Sequence, residues 1–196
     1  IIVLKKINTD FVFIPKTSEI YNKARSKKLI IKNKKKILCE KFRKGHFKGV
    51  LDIVDRLLTL INPKYMFLGE KDFQQLFLIK KHLKRKFKVI IIPCKTIRDK
   101  NYVALSSRNN LLSKKNLINA GKIAKKLSLF KKEIKNNNSY KKKISHVKNY
   151  LIKEYKIKID YLELRNEKDL SIYKNKSKFR LFLAYHINNI RLIDNY

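Results

Sequence analysis

Seven consecutive residues, Gly69-Glu70-Lys71-Asp72-Phe73-Gln74-Gln75, carry the densest chemistry in this 196-residue chain. They follow the short apolar run Tyr65-Met66-Phe67-Leu68 and open an amphipathic stretch. That context predicts a strand, a tight turn and the start of a helix. In α/β folds a nucleotide sits at such a turn, because the helix N-terminus offers free N–H groups and the positive end of its dipole. Gly69 is expected to let the backbone turn sharply and approach a ligand. Lys71 offers a cation for phosphate, and Asp72 an acceptor for a ribose hydroxyl or a metal-bound water. Gln75 lies three residues after Asp72, on the same helix face, where it could hold a small polar substrate. A charged loop with a helix cap accounts for the same residues when the block is taken alone.

Two further blocks hold groups suited to anions. Leu105-Ser106-Ser107-Arg108 places two hydroxyls and a guanidinium side by side, and Arg grips phosphate oxygens in a fork. Arg43-Lys44-Gly45-His46-Phe47-Lys48-Gly49-Val50 sets cations and a histidine between two glycines, as suits a mobile flap over an anionic ligand. A helix cap and an ordinary turn are the respective alternatives.

The elements that must position these blocks follow from periodicity. Residues 11–14 read as a short strand ended by Pro15, and Ser18 to Tyr21 as a turn or short helix. Leu29-Ile30-Ile31 suggests an exposed strand or loop within a lysine-rich stretch. Val50, Ile53, Val54, Leu57, Leu58 and Ile61 follow helical spacing up to Asn62-Pro63. A strand at 65–68, a helix running to about Lys86 and a strand at 88–92 imply a βαβ crossover in a parallel sheet. Pro93 to Asp99 reads as a junction. Beyond it come a helix capped by Ser113 and running through Phe130, an Asn-rich linker at 136–139, and a helix at about 140–155. Strands are expected at 158–163 and 180–185, the latter returning through Asn188-Asn189 into Ile190-Arg191-Leu192-Ile193. The expected class is α/β: a half-Rossmann domain with a parallel sheet (1–95), followed by a small α+β domain (96–196).

Composition narrows the partners. With 50 Lys and Arg against 15 Asp and Glu, the formal net charge is +35. Such charge usually points to nucleic acid or an anionic membrane. Here the lysines are spread along the whole chain, and Lys, Asn, Ile and Tyr are abundant together while Gly and Pro are scarce. Those four residues share A/T-rich codons, so a biased genome explains the charge, and only nonspecific, salt-sensitive contact with nucleic acid is expected. Cys39 and Cys94 are far apart, without metal-ligand spacing, as befits a reduced, cytoplasmic protein. No apolar run approaches the ~20 residues that span a bilayer. Among the four histidines only His46 has a motif context; His82 and His146 read as solvated, and His186 as structural.

Taken in order, the three blocks resemble pantothenate synthetase, the pantoate–β-alanine ligase family. Its members carry an Arg-Pro-Gly-His-Phe-x-Gly-Val loop, a Gly-Glu-Lys-Asp-x-Gln-Gln helix start and a Leu-Ser-Ser-Arg loop. Arg191-Leu192-Ile193-Asp194-Asn195 also matches the family's ending. The likeness runs from about residue 9 to residue 196. Lys44 stands where the family has Pro, which predicts a less rigid flap.

Members begin with a Pro-Thr-Met-Gly-x-Leu-His-x-Gly-His loop and a second strand ending Phe-Val-Asn-Pro-x-Gln-Phe. Neither motif occurs in these 196 residues, and position 1 is Ile. A fragment, a non-standard start codon or an eroded gene is the expectation, and the resemblance then leaves about half of the family's site in this chain. It implies an incomplete Rossmann-like nucleotidyltransferase domain whose parallel sheet, without the family's first strand, has an unpaired edge that invites aggregation or pairing with another chain.

The resemblance implies an ATP-dependent, AMP-forming acid–amine ligase of pantothenate and coenzyme A biosynthesis, working as a cytoplasmic homodimer. ATP adenylates pantoate, with Mg²⁺ bridging phosphate oxygens, and β-alanine then takes the pantoyl group. Gly69, Glu70, Lys71, Asp72, Ile97, Leu105, Ser106, Ser107 and Arg108 correspond to ATP-binding positions, Ile97 through its backbone. Lys71, Ser106, Ser107 and Arg108 correspond to the catalytic ones that face the phosphates. Gln75 matches a pantoate-binding glutamine, and Arg43 and His46 the flap. No protein-held metal is implied. An inactive or split-gene remnant and a basic nucleic-acid-binding protein on the same fold are the alternatives.

Overall fold

The structure is a computed structural model that describes residues 2–21, 36–84, 86–134, 140–174 and 178–196. The expected strand or loop at 29–31 and the linker at 136–139 lie outside them.

The first half contains α1 (Ile2–Lys6), α2 (Thr17–Ile20), α3 (Cys39–Phe42), α4 (His46–Ile61), β1 (Tyr65–Gly69), α5 (Phe73–Leu83) and β2 (Ile90–Cys94). α4 presents Leu51 and Leu58 to one side, where they meet Leu76, Ile79 and Leu83 of α5 and Val89 and Ile91 at β2. Leu51, Ile79 and Leu83 have no exposed surface, so truncating any of them to Ala costs about 2–5 kcal/mol. Asn62, in the left-handed conformation, ends α4 and returns its N–H to the Leu58 carbonyl. β1 and β2 are parallel, with Tyr65 opposite Ile90 and Gly69 opposite Cys94. Pro93 therefore lies within β2, which the sequence placed at 88–92, and α5 stops at Leu83 rather than near Lys86.

One expected strand does not form. Residues 11–14 have no regular structure, and Phe11 is 92% exposed. Among the described residues β1 hydrogen-bonds only to β2, so the apolar 11–14 run has no ladder to join. Without one, an extended segment leaves its polar backbone to water and gains no packing. Phe67 of β1 is likewise 65% exposed.

The second half contains α6 (Lys114–Ile134), α7 (Tyr140–Tyr155) and an antiparallel sheet of β3 (Lys158–Asn166), β4 (Phe179–Ile187) and β5 (Ile190–Asn195) in sequential order. Ser113 caps α6 as expected, its Oγ accepting the Asn116 N–H. β3 has both its faces covered. Alternate residues of β4 show why. Leu181, Leu183, Tyr185 and Ile187 pack with Ile123, Leu127 and Leu151 of α6 and α7. Phe182 and Ala184 point the other way, to Phe47 and Leu78 of α4 and α5. A bulge between Ile159 and Tyr161 lets Tyr161 join the second side and Leu162 the first. The sheet thereby binds both halves of the chain into one body.

Candidate functional site

The 69–75 block folds as its residues dictate: β1 ends at Gly69, Glu70–Asp72 form one 3-10 turn, and α5 begins at Phe73. Gly69 differs from expectation. Its φ and ψ of −67° and 131° suit any residue, and a Cβ there would meet nothing within 4 Å. The glycine that the backbone requires is Gly45, at φ +76°. The flap also differs: His46-Phe47-Lys48-Gly49 is the first turn of α4, not a loop. Phe47, 5% exposed, anchors that turn in the cluster shared with Leu78 and Phe182.

Lys71 stands where two recesses meet. One, about 20 Å³, is lined by Lys71, Ser106, Arg108 and Asn109 over a floor of Ala120 and Ala124 from α6. The other, about 30 Å³, is lined by Lys71, Asp72, Gln75, Arg43 and His46. Each seats a single small group rather than a whole nucleotide. The three sequence blocks therefore converge on one side chain. The remaining sequence-assigned positions do not line either recess. Ser107 is exposed, and Leu105 and Ile97 are 53% and 70% exposed. The Ile97 carbonyl accepts the Leu105 N–H at 3.0 Å. Glu70 turns toward a wider groove on the other side of the turn, 3.7 Å from Arg180.

Each block is held by named contacts. Ser106 Oγ accepts the Arg108 N–H and caps the short 3-10 helix that follows. Arg108 Nη1 donates to the Arg191 carbonyl at 3.1 Å, and Asn109 Nδ2 to the Ala104 carbonyl. The preceding segment folds back on itself, Asp99 accepting the N–H groups of Asn101 and Val103. Gly121 lets it sit tight on α6, since a Cβ there would lie 2.5 Å from the Asn101 carbonyl oxygen.

Several residues of consequence carried no sequence signal of their own. Gln74, 6% exposed, uses both ends of its amide: Oε1 accepts from Cys39 N and Nε2 donates to the Ile37 carbonyl, tying the base of the flap to α5. Its neighbour Gln75 was the one singled out. Cys39 Sγ lies 3.0 Å from the Tyr161 hydroxyl. Burial, then the neighbouring thiol, holds that phenol well above its ordinary pKa, so it stays protonated. Asp160 pairs with Arg191 at 2.8 Å and with His186 at 3.2 Å, so His186 is structural as expected. His82, read as solvated, instead buries its Nε2 without a hydrogen-bond partner among the described residues, and its pKa is lowered by burial and then by Lys81.

The electrostatics favour anions. His46 has a pKa below the usual 6.5, first through burial, then through Arg43, with Asp72 opposing and Arg108 and Arg191 adding to it. The imidazole therefore stays neutral near pH 7. Among the described residues Lys71 is ion-paired with the half-exposed Asp72 alone, 3.8 Å away, a weak pairing, while the buried Asp194 also lines both recesses. The described residues contain no group of three His, Cys, Asp or Glu side chains able to hold a metal ion, and no helix among them is long and apolar enough to cross a membrane.

Comparison with known proteins bears on the family and the fold. The family model for pantoate-beta-alanine ligase matches residues 1–196. A pantothenate synthetase of Buchnera aphidicola subsp. Acyrthosiphon pisum is 38% identical over 203 residues, covering 99% of this chain and 70% of that protein. One from Caldicellulosiruptor bescii is 34% identical over 197 residues, covering 97% and 69%. The crystal structure of pantothenate synthetase from Thermus thermophilus superposes with a TM-score of 0.89 at 25% identity, over 100% of this chain and 72% of that one. The Francisella tularensis pantoate-beta-alanine ligase, complexed with beta-gamma ATP and beta-alanine, superposes with a TM-score of 0.75 at 31% identity, over 99% and 67%. This chain belongs to the pantoate-beta-alanine ligase family.

Proposed function

We propose that the cleft around Lys71 serves the ATP-dependent condensation of (R)-pantoate with β-alanine to pantothenate, AMP and diphosphate. The observation that carries this reading is that Lys71 lines both recesses, one with Ser106 and Arg108 and the other with Gln75, Arg43 and His46. A nucleotide lying across the two mouths sets its phosphates against Lys71, Ser106, Ser107 and Arg108. Gly69 to Asp72 and Leu105 flank it, and the Ile97 backbone faces the adenine. Pantoate lies beside Gln75, under Arg43 and His46.

The chemistry asks for positioning and charge neutralisation. A pantoate carboxylate oxygen attacks the α-phosphorus, the bond to the β-phosphate breaks, and diphosphate leaves. The amine of β-alanine then attacks the acyl carbon, the bond to AMP breaks, and the amine loses a proton. Charge develops on phosphate oxygens in the first step, where Lys71 and Arg108 are most effective. A neutral His46 adds no charge but can accept or donate one hydrogen bond. Mg²⁺ accompanies ATP as part of the substrate, on its phosphate oxygens.

Three broader readings complete the proposal: domains divided near residue 95, a cytoplasmic homodimer, and only nonspecific contact with nucleic acid. They rest on the change of pattern at Pro93 to Asp99, on the family likeness and on the dispersed charge. Isothermal titration with ATP tests the site. Lys71→Ala should weaken binding at least about tenfold, the loss of one charge-assisted contact; unchanged affinity would refute the assignment.

A further inference from the structure

Asn195, near the end of β5 and 4% exposed, reaches the back of the turn that carries Lys71. Its Nδ2 donates to the Glu70 carbonyl at 3.0 Å and to the Lys71 carbonyl at 2.8 Å. Its Oδ1 accepts from Arg180 Nη1 at 2.7 Å. The third bond fixes the direction of the carboxamide. A flipped amide would set its NH₂ against a guanidinium and its oxygen against two carbonyls, turning three attractions into three repulsions. The Asn195 backbone is held as well, its N–H by Asp194 Oδ1 at 2.8 Å and its carbonyl by Arg98 Nη2 at 3.2 Å. Arg180, in turn, stacks over the Phe73 ring at 4.1 Å and lies 3.3 Å from Glu167.

We propose that Asn195 is a positioning residue for Lys71. The inference rests on the reading of Lys71 as a ligand of the ATP phosphates. A lysine ammonium rides on a flexible four-carbon stem, so a scaffold controls it mainly by fixing its Cα. Asn195 does this from behind. Two donors on consecutive carbonyls set the height and tilt of the Glu70–Asp72 turn, and the Lys71 side chain remains free to face both recesses. The final strand of the fold thus sets the geometry of a turn far from it in sequence.

The test combines Asn195→Ala, Asn195→Asp and Lys71→Ala in the 196-residue chain, with ATP affinity by titration calorimetry and unfolding midpoints by urea. Asn195→Asp discriminates, because a carboxylate keeps the bond to Arg180 and the packing but opposes the two carbonyls. Both Asn195 variants should lose ATP affinity about tenfold, while the urea curves show each variant still folded under the conditions of the titration. In the Lys71→Ala background Asn195→Ala should cost nothing further, as expected for residues acting in series. Wild-type ATP affinity in Asn195→Asp, or losses that add to those of Lys71→Ala, would overturn the positioning role while leaving Lys71 as a ligand. Unchanged affinity in Lys71→Ala alone would overturn the underlying reading and the positioning role with it.

Discussion

The Arg98 guanidinium grips the Asp194 carboxylate through two parallel hydrogen bonds of 2.8 Å each. Asp194 is 8% exposed, and Arg98 also caps the carbonyls of Tyr102 and Asn195 and lies over the Tyr196 ring at 4.8 Å. This fork ties the segment between β2 and Ser106 to the last strand, which Asn195 in turn ties to the Lys71 turn, so it couples two of the three site blocks. Removing the cation leaves a buried carboxylate with, among the described residues, Tyr196 and the Asn195 N–H as its side-chain partners. Arg98→Ala should therefore cost about 2–3 kcal/mol, the scale of hydrogen bonds to a charged group. Urea unfolding checks this, and a loss below about 0.5 kcal/mol would count against the fork as a structural tie.

Gly121 makes a second tie. Any side chain there drives a Cβ to 2.5 Å from the Asn101 carbonyl oxygen. Gly121→Ala should destabilise the fold by about 1–3 kcal/mol through overpacking, outweighing the helix propensity gained. It should also weaken ATP binding, because the displaced segment leads directly into Ser106. Urea unfolding and ATP titration on one sample measure both effects; a stabilised variant would show that the segment moves freely.

His46 gives a pH signature. Its folded-state pKa lies below 6.5 because burial, and then Arg43, disfavour the imidazolium. With a depressed folded value, the stability this group contributes is fully present above pH 6.5 and is lost as pH falls through the folded pKa. The His46 ring resonance, assigned with His46→Gln, should titrate below 6.5 by NMR. Arg43→Ala should move the midpoint upward, whereas a midpoint above 6.5 would contradict the burial seen here.

Much of this was legible in the sequence because it was local. Apolar spacing from Val50 to Ile61 gave α4, and the Tyr65–Leu68 run with the charged turn after it gave β1 and the start of α5. Ser113 marked the start of α6, and Asn188-Asn189 the last hairpin. What was not legible depends on partners distant in sequence. Residues 11–14 have strand composition, but a strand exists only with a neighbour to pair with. The flap block read as a loop because its glycines dominate, yet Phe47 finds a core and pulls the segment into a helix. Gln74 and Gln75 look alike in sequence, and only the packing of α5 shows that Gln74 faces inward. Asn195 was visible as part of an ending shared with a family, while its hold on the Lys71 turn is a long-range contact that no local pattern records.

On the proposed reading, Lys71 stands at the meeting point of a site that activates a carboxylate with ATP. Pantoate-dependent exchange of labelled diphosphate into ATP measures that step directly. In the family the resemblance pairs this site with a His-x-Gly-His loop, and misplacement of reacting groups by ~1 Å can cost about 100-fold. We predict little or no exchange by the 196 residues alone. Exchange should rise when a polypeptide carrying that loop and its strand is supplied, and should vanish again in Lys71→Ala. No exchange with both parts present, or restored exchange that survives Lys71→Ala, would contradict the account.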